Sequence, residues 1–171
     1  MMKPAINDAF NDQLNKEYYS SYLYLAMSAF LDRKGLKGMA ALMKRNADEE
    51  VFHAEKILGF IQARGGTVRL AAIDAPPVDW DSVHAAADGA LEHERKITAS
   101  IDALVDTCRK ESDHAGESFL QWFVNEQVEE EETAQELVDQ VALTGESGPA
   151  LFMLDRDLAA SVPADGGAAA E

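Results

Sequence analysis

Glu50 and His53 stand three residues apart in the middle of a helical stripe that is otherwise apolar. Steps of three and four from Met39 pass through Leu42 or Met43, Asn46, Glu50, His53, Ile57 and Phe60. That spacing places side chains on one face of an α-helix. A carboxylate and an imidazole on a buried face are costly unless they are paired, neutralised or bound to a cation. Any fold open to this chain must solve that problem halfway along a helix that runs from about Leu36 to Arg64.

Three other stripes repeat the pattern. From Pro4, which suits a first helical turn, Ile6, Phe10, Leu14, Glu17, Ser21, Tyr24 or Leu25, and Ser28 or Leu31 follow at helical steps. Arg33-Lys34-Gly35 then ends the helix. A third helix from about Asp81-Ser82 to Lys110 carries Val83, Ala87, Ala90 or Leu91, Glu94, Ile97, Ile101, Leu104 and Cys108. Ser112-Asp113 supplies a turn and N-cap, and a fourth helix to about Leu143 carries Leu120, Phe123, Gln127, Glu130, Ala134, Leu137 and Val141.

Connection lengths choose the topology. The short links after the first and third helices make antiparallel neighbours. Between Gly65 and Trp80, Gly-Gly and Pro76-Pro77 break the helical pattern. A helix of about 28 residues is about 42 Å long, and about 16 extended residues reach about 53 Å. The loop can therefore run the length of the bundle and set the second and third helices parallel. The expected fold is all-α: a four-helix bundle with a long crossover and a short fifth helix, capped by Ser147, whose Leu151, Phe152, Leu154 and Leu158 must dock on the bundle or on another subunit. One domain over residues 1–162 and a disordered Ala/Gly-rich tail over 163–171 are expected.

The charge balance excludes several function classes. Asp and Glu number 31 against 15 Lys and Arg, a net charge of −16, which repels nucleic acid and anionic membrane and attracts cations. No apolar run is long enough to span a bilayer and no secretory leader is evident, so a cytoplasmic location is expected. Cys108 is the single cysteine, which excludes an internal disulfide framework, a rubredoxin-type module and a zinc ribbon. Its stripe position makes it a core thiol.

Glu17, Glu50 with His53, Glu94, and Gln127 with Glu130 thus interrupt four stripes at matching heights, with almost no Lys or Arg beside them. One buried carboxylate can be explained by a salt bridge; four are much harder to pair. Two divalent cations would neutralise them, and the mixture of imidazole and carboxylate suits iron, manganese or zinc better than calcium or magnesium.

Asn15-Lys16-Glu17 followed by Tyr24, Glu49-Glu50-x-x-His53, Glu94, and Asn125-Glu126-Gln127-x-x-Glu130 together resemble the ferritins, specifically the haem-free bacterial ferritins, over about Pro4 to Val162. Ferritin-like di-iron proteins build such a centre from carboxylates and histidines on the facing helices of a four-helix bundle. The resemblance implies that Glu17, Glu50 and His53 hold a first iron, that Glu50 bridges to a second, and that Glu94 and Glu130 complete it. Gln127 matches a glutamine beside the centre. Glu49, Glu126 and Glu129 match carboxylates of a third iron site, although Glu129 to Glu132 also reads as a solvated acidic face. Tyr24 matches a tyrosine that could donate a hydrogen bond to a ligand or an electron to an oxygen intermediate; core packing is the alternative. Trp122 is placed near the site and is most economically a packing residue. His84, His93 and His114 match no ligand and are expected at the surface.

Val51 stands where bacterioferritins place a haem-ligating methionine, so no haem is expected. What the resemblance implies is a ferroxidase that oxidises Fe(II) with O₂ or peroxide and stores ferric oxyhydroxide inside a homo-24-mer. Two rival readings are an inert storage subunit, in which Glu50→Ala would leave iron oxidation unchanged, and an oxidant-detoxifying di-iron protein or small DNA-protecting cage, which a native mass would separate from a 24-mer.

Overall fold

Pro4 occupies the first turn of helix α1 (Pro4–Arg33), where its missing N–H costs nothing. The computed structural model describes residues 2–145 and 147–161, and among these the chain is entirely helical apart from its links. Helices α2 (Lys37–Ala63), α3 (Val83–Lys110), α4 (His114–Thr144) and α5 (Gly148–Ser161) follow. Gly35 turns the chain between α1 and α2 with φ +82°, a conformation that favours glycine. Ser82 caps α3 by accepting the Ala85 N–H at 2.9 Å.

The 64–82 crossover runs along α1 as its length requires. At one end Asn7 and Asn11 bond the backbone of Thr67 and Arg69; further along, the Asn15 amide donates to the Ala72 carbonyl. At the other end Arg33 donates to the Val78 carbonyl and Trp80 packs 5.3 Å from Phe30, centroid to centroid. Asn7, Asn11 and Asn15, four residues apart, form a ladder of side chains that satisfies loop backbone which would otherwise be left unpaired. The loop delivers α3 parallel to α2, as expected.

The core falls into two apolar halves. One joins Phe10, Leu14, Ile57, Ile61, Ile101, Leu104, Cys108, Leu120 and Phe123. The other joins Met27, Phe30, Leu31, Met39, Met43, Ala87, Leu91, Leu137 and Val141. Glu17, Glu50, Glu94 and Gln127, all buried, lie on their helices between these halves. The polar belt is thus sealed at both ends by close-packed hydrocarbon.

Helix α5 folds back on its own bundle through Leu151, Leu154 and Leu158. Phe152 and Met153 point away and are 65% and 59% exposed. Three sequence expectations need correction. His93 is buried, because the α1–α3 seam encloses it; its Nε2 lies 2.7 Å from Ser20 Oγ. Asp113 occupies the N-cap position of α4 without a capping bond, since its carboxylate accepts Arg64 at 2.8 Å instead. Asn46 is half-buried, and Ala47 fills its place in the α2 stripe. The expected 163–171 tail lies outside the described residues, as does Val162 at the end of the expected domain.

Candidate metal centre

Four helices contribute to one cluster. Glu17 comes from α1, Glu50 and His53 from α2, Glu94 from α3 and Glu130 from α4. Ligand atoms of Glu17, Glu50 and His53 lie within 4.8 Å of one another, and so do those of Glu50, Glu94 and Glu130. Glu50 belongs to both groups. Each group could hold a cation, and a carboxylate shared between them has the placement of a bridge.

The electrostatics disfavour four ionised carboxylates in one buried cluster. Burial pushes the Glu17 carboxyl up to about 7, and the nearby charge of Glu94 adds to it. Burial, then Glu94 and Glu17, push Glu130 up to about 10. Glu50 rises well above the usual carboxylate range through burial and the charges of Glu17 and Glu130, and Glu94 rises by burial. Glu17 lies beside Glu50, and Glu94 beside Glu130, so without a cation each pair retains a proton. Even so, Glu50 Oε2 and Glu130 Oε2 are buried with no hydrogen-bond partner. Orphaned buried oxygens of this kind are rare and call for an explanation.

His53 Nδ1 lies 3.4 Å from Glu50 Oε2 and 3.7 Å from Glu130 Oε1. These contacts are not ion pairs, because burial, with Lys56 nearby, lowers the His53 pKa to about 4. A neutral imidazole offers a lone pair to a metal. The donor set of one imidazole and several carboxylates fits a first-row divalent cation.

Around the cluster, Tyr24 donates its hydroxyl to Glu94 Oε1. Burial and the Glu94 charge raise the phenol well above its usual range, so it stays protonated. Gln127 Nε2 donates to Glu94 Oε2 at 3.2 Å and also meets Thr98 Oγ1 at 3.3 Å. Its amide nitrogen therefore faces Glu94, as a support for that carboxylate. Trp122 sets its ring edge-on to His53, 5.3 Å between centroids, with Lys56 Nζ 4.2 Å above it.

Glu49, Glu126 and Glu129 do not gather into a group of this kind. Glu49 is exposed and 3.6 Å from Arg45, Glu129 is exposed, and Glu126 is half-buried, its pKa raised by burial and by Glu129 and Glu49. Sequence reasoning missed Gln13, which donates to Glu17 Oε1 at 2.9 Å. Its position one turn before Glu17 on the same stripe was the available signal.

Fold and cluster define the class: a four-helix bundle built around a candidate dinuclear metal centre. Residues 7–144 match the Ferritin-like domain family, and the chain belongs to that family. It is 37% identical over 158 residues to a probable bacterial non-heme ferritin-like protein of Haemophilus influenzae, a match covering 92% of this chain and 96% of that one. It is 39% identical to a bacterial non-heme ferritin of Bacteroides fragilis, with 92% and 98% covered. Among solved structures, it matches an engineered closed form of the Archaeoglobus fulgidus ferritin with a TM-score of 0.92 and 43% identity, covering 93% of this chain and 97% of that one. Family and fold support iron storage, and no helix among the described residues is long and apolar enough to cross a membrane.

Proposed function

We propose that this chain is a ferroxidase that takes Fe(II) as substrate, oxidises it in the bundle and stores the product as ferric oxyhydroxide. The observation that carries the reading is the convergence of Glu17, Glu50, His53, Glu94 and Glu130, with two buried oxygens left without partners. In it, Glu17, Glu50 and His53 take one Fe(II), and Glu50, Glu94 and Glu130 take the other. Binding displaces the protons shared between carboxylates. Anionic oxygens favour Fe(III) over Fe(II), which lowers the cost of giving up an electron from each iron. The two electrons reduce O₂, with two protons, to hydrogen peroxide, or reduce peroxide to water. Tyr24 and Gln127 hold Glu94 through both states. Fe(III) then hydrolyses to oxyhydroxide with release of protons.

Glu49 and Glu129 lie near enough to Glu126 for their charges to raise it, and the three, which form no ligand group as they stand, are a candidate third iron position. The product is stored in a homo-oligomeric cage of 24 subunits. Exposed Phe152 and Met153, neighbours on α5, support assembly, because adjacent large apolar side chains in water favour burial between subunits. Native mass spectrometry tests the assembly.

The activity is tested by adding Fe(II) aerobically to metal-free protein and following Fe(III) absorbance. Wild type should show a fast phase that Glu50→Ala lacks, since that change removes a ligand from both groups. Equal rates in the two proteins would reject the reading.

A further inference from the structure

Gln13 is 1% exposed and lies one turn before Glu17 on α1, beside fully buried Phe10 and Leu14. Its Nε2 donates to Glu17 Oε1 at 2.9 Å, and its Oε1 accepts the Ser100 hydroxyl of α3 at 2.7 Å. An ionised Glu17 only accepts, so in the metal-binding form the amide nitrogen faces Glu17 and the carbonyl faces Ser100. The amide has a single orientation, braced from the neighbouring helix. Packing does not ask for this residue: a methionine has similar length and helix propensity and would enter the stripe without the cost of burying an amide.

The rest of the cluster shows what the amide does. Among the described residues, Gln13 is the side chain that donates a hydrogen bond to the Glu17 carboxylate. Glu94 has the same kind of support from Tyr24 and Gln127, whereas Glu50 and Glu130 each keep an oxygen with no partner. We propose that Gln13, braced by Ser100, is a positioning residue that fixes one oxygen of Glu17 and turns the other toward the metal position formed with Glu50 and His53. The inference rests on the metal-centre reading above. Supports of this kind set affinity by holding a ligand in one orientation, and their loss costs about 10–100-fold in metal binding.

The test uses zinc, which needs no oxidant, on assembled metal-free protein. Calorimetric titration of wild type should give two binding steps per chain, one for each ligand group. In Gln13→Met one step should weaken about 10–100-fold while the other is unchanged. Zinc anomalous scattering from crystals at subsaturating metal should place the loss at the Glu17–His53 position, and thermal unfolding of the metal-free variant should match wild type. Ser100→Ala should weaken the same step, and Ser100→Thr, which keeps the hydroxyl, should not. Wild-type affinities in Gln13→Met, or equal weakening of both steps, would overturn the inference alone. An effect of Gln13→Met without one of Ser100→Ala would overturn the bracing role. Wild type that binds no zinc would overturn the metal-centre reading, and this inference with it.

Discussion

The Asp155 carboxylate of α5 accepts the Met39 backbone N–H of α2 at 2.8 Å, in a buried contact. Leu36, the N-cap residue of α2, provides no side-chain cap, so the last helix supplies one from across the chain. Gly38 makes the approach possible: a Cβ there would stand 1.9 Å from the Asp155 carbonyl oxygen.

Asp155→Ala removes this cap and should destabilise the protein by about 1–3 kcal/mol, the cost of leaving a buried donor unsatisfied. Gly38→Ala should do more, because backbone must move. Hydrogen exchange would check both, with protection lost first in α5 and the first turn of α2. Exchange that rises evenly over all five helices would contradict the capping role.

The metal-free protein should lose stability as pH rises above about 6.5. Glu17 and Glu130 have folded pKa values of about 7 and about 10, against 4.5 when free. A raised pKa means that the folded state holds the proton more tightly. The associated stability is complete below 4.5 and fades as pH climbs through each folded value. His53 and His93, lowered from 6.5 to about 4, work in the opposite sense. Their contribution is complete above 6.5 and is lost as pH falls toward 4. Above 6.5, then, only the carboxylate effect acts among these four. Thermal midpoints from pH 6.5 to 9 should fall without metal and stay nearly level with saturating zinc.

The same protons should appear in solution when metal binds. At pH 6.5 the pair Glu17–Glu50 and the pair Glu94–Glu130 retain protons that a divalent cation must displace. Zinc calorimetry in buffers of different ionisation enthalpy should therefore show net proton release. Its extent should shrink in Glu130→Gln, which has no proton to give.

Trp122 should report on the centre. Its ring lies 5.3 Å from that of His53, whereas Trp80 packs against Phe30 in the other half of the core. Cobalt should quench the emission of Trp122 and spare most of that of Trp80. In Trp122→Phe the quenching should largely vanish; quenching that survives would place the metal elsewhere.

The carboxylate cluster was legible because each carboxylate breaks an apolar stripe whose period fixes its height and its face. Glu17, Glu50, Glu94 and Glu130 needed only the four stripes and the loop lengths to be brought together. Cross-helix partners were harder to read. Whether Ser100 meets Gln13, or Ser20 meets His93, depends on the rotation of α3 against α1, which sequence period leaves open by tens of degrees. His93 looks like a surface residue because it matches no ligand position, yet the seam buries it. Asp113 reads as a cap until Arg64, distant in sequence, arrives to claim it. The asparagine ladder on α1 has no signature apart from its four-residue spacing, which an exposed face could equally carry.

The most direct measurement is oxygen consumption. Metal-free protein loaded anaerobically with Fe(II), two irons per chain to match the two ligand groups, is mixed with O₂ in an electrode cell. Rapid uptake of one O₂ for each iron pair is expected, at full rate up to that loading, with none of the fast uptake in Glu50→Ala. Uptake at the rate of iron in buffer, or a fast phase that survives Glu50→Ala, would contradict it.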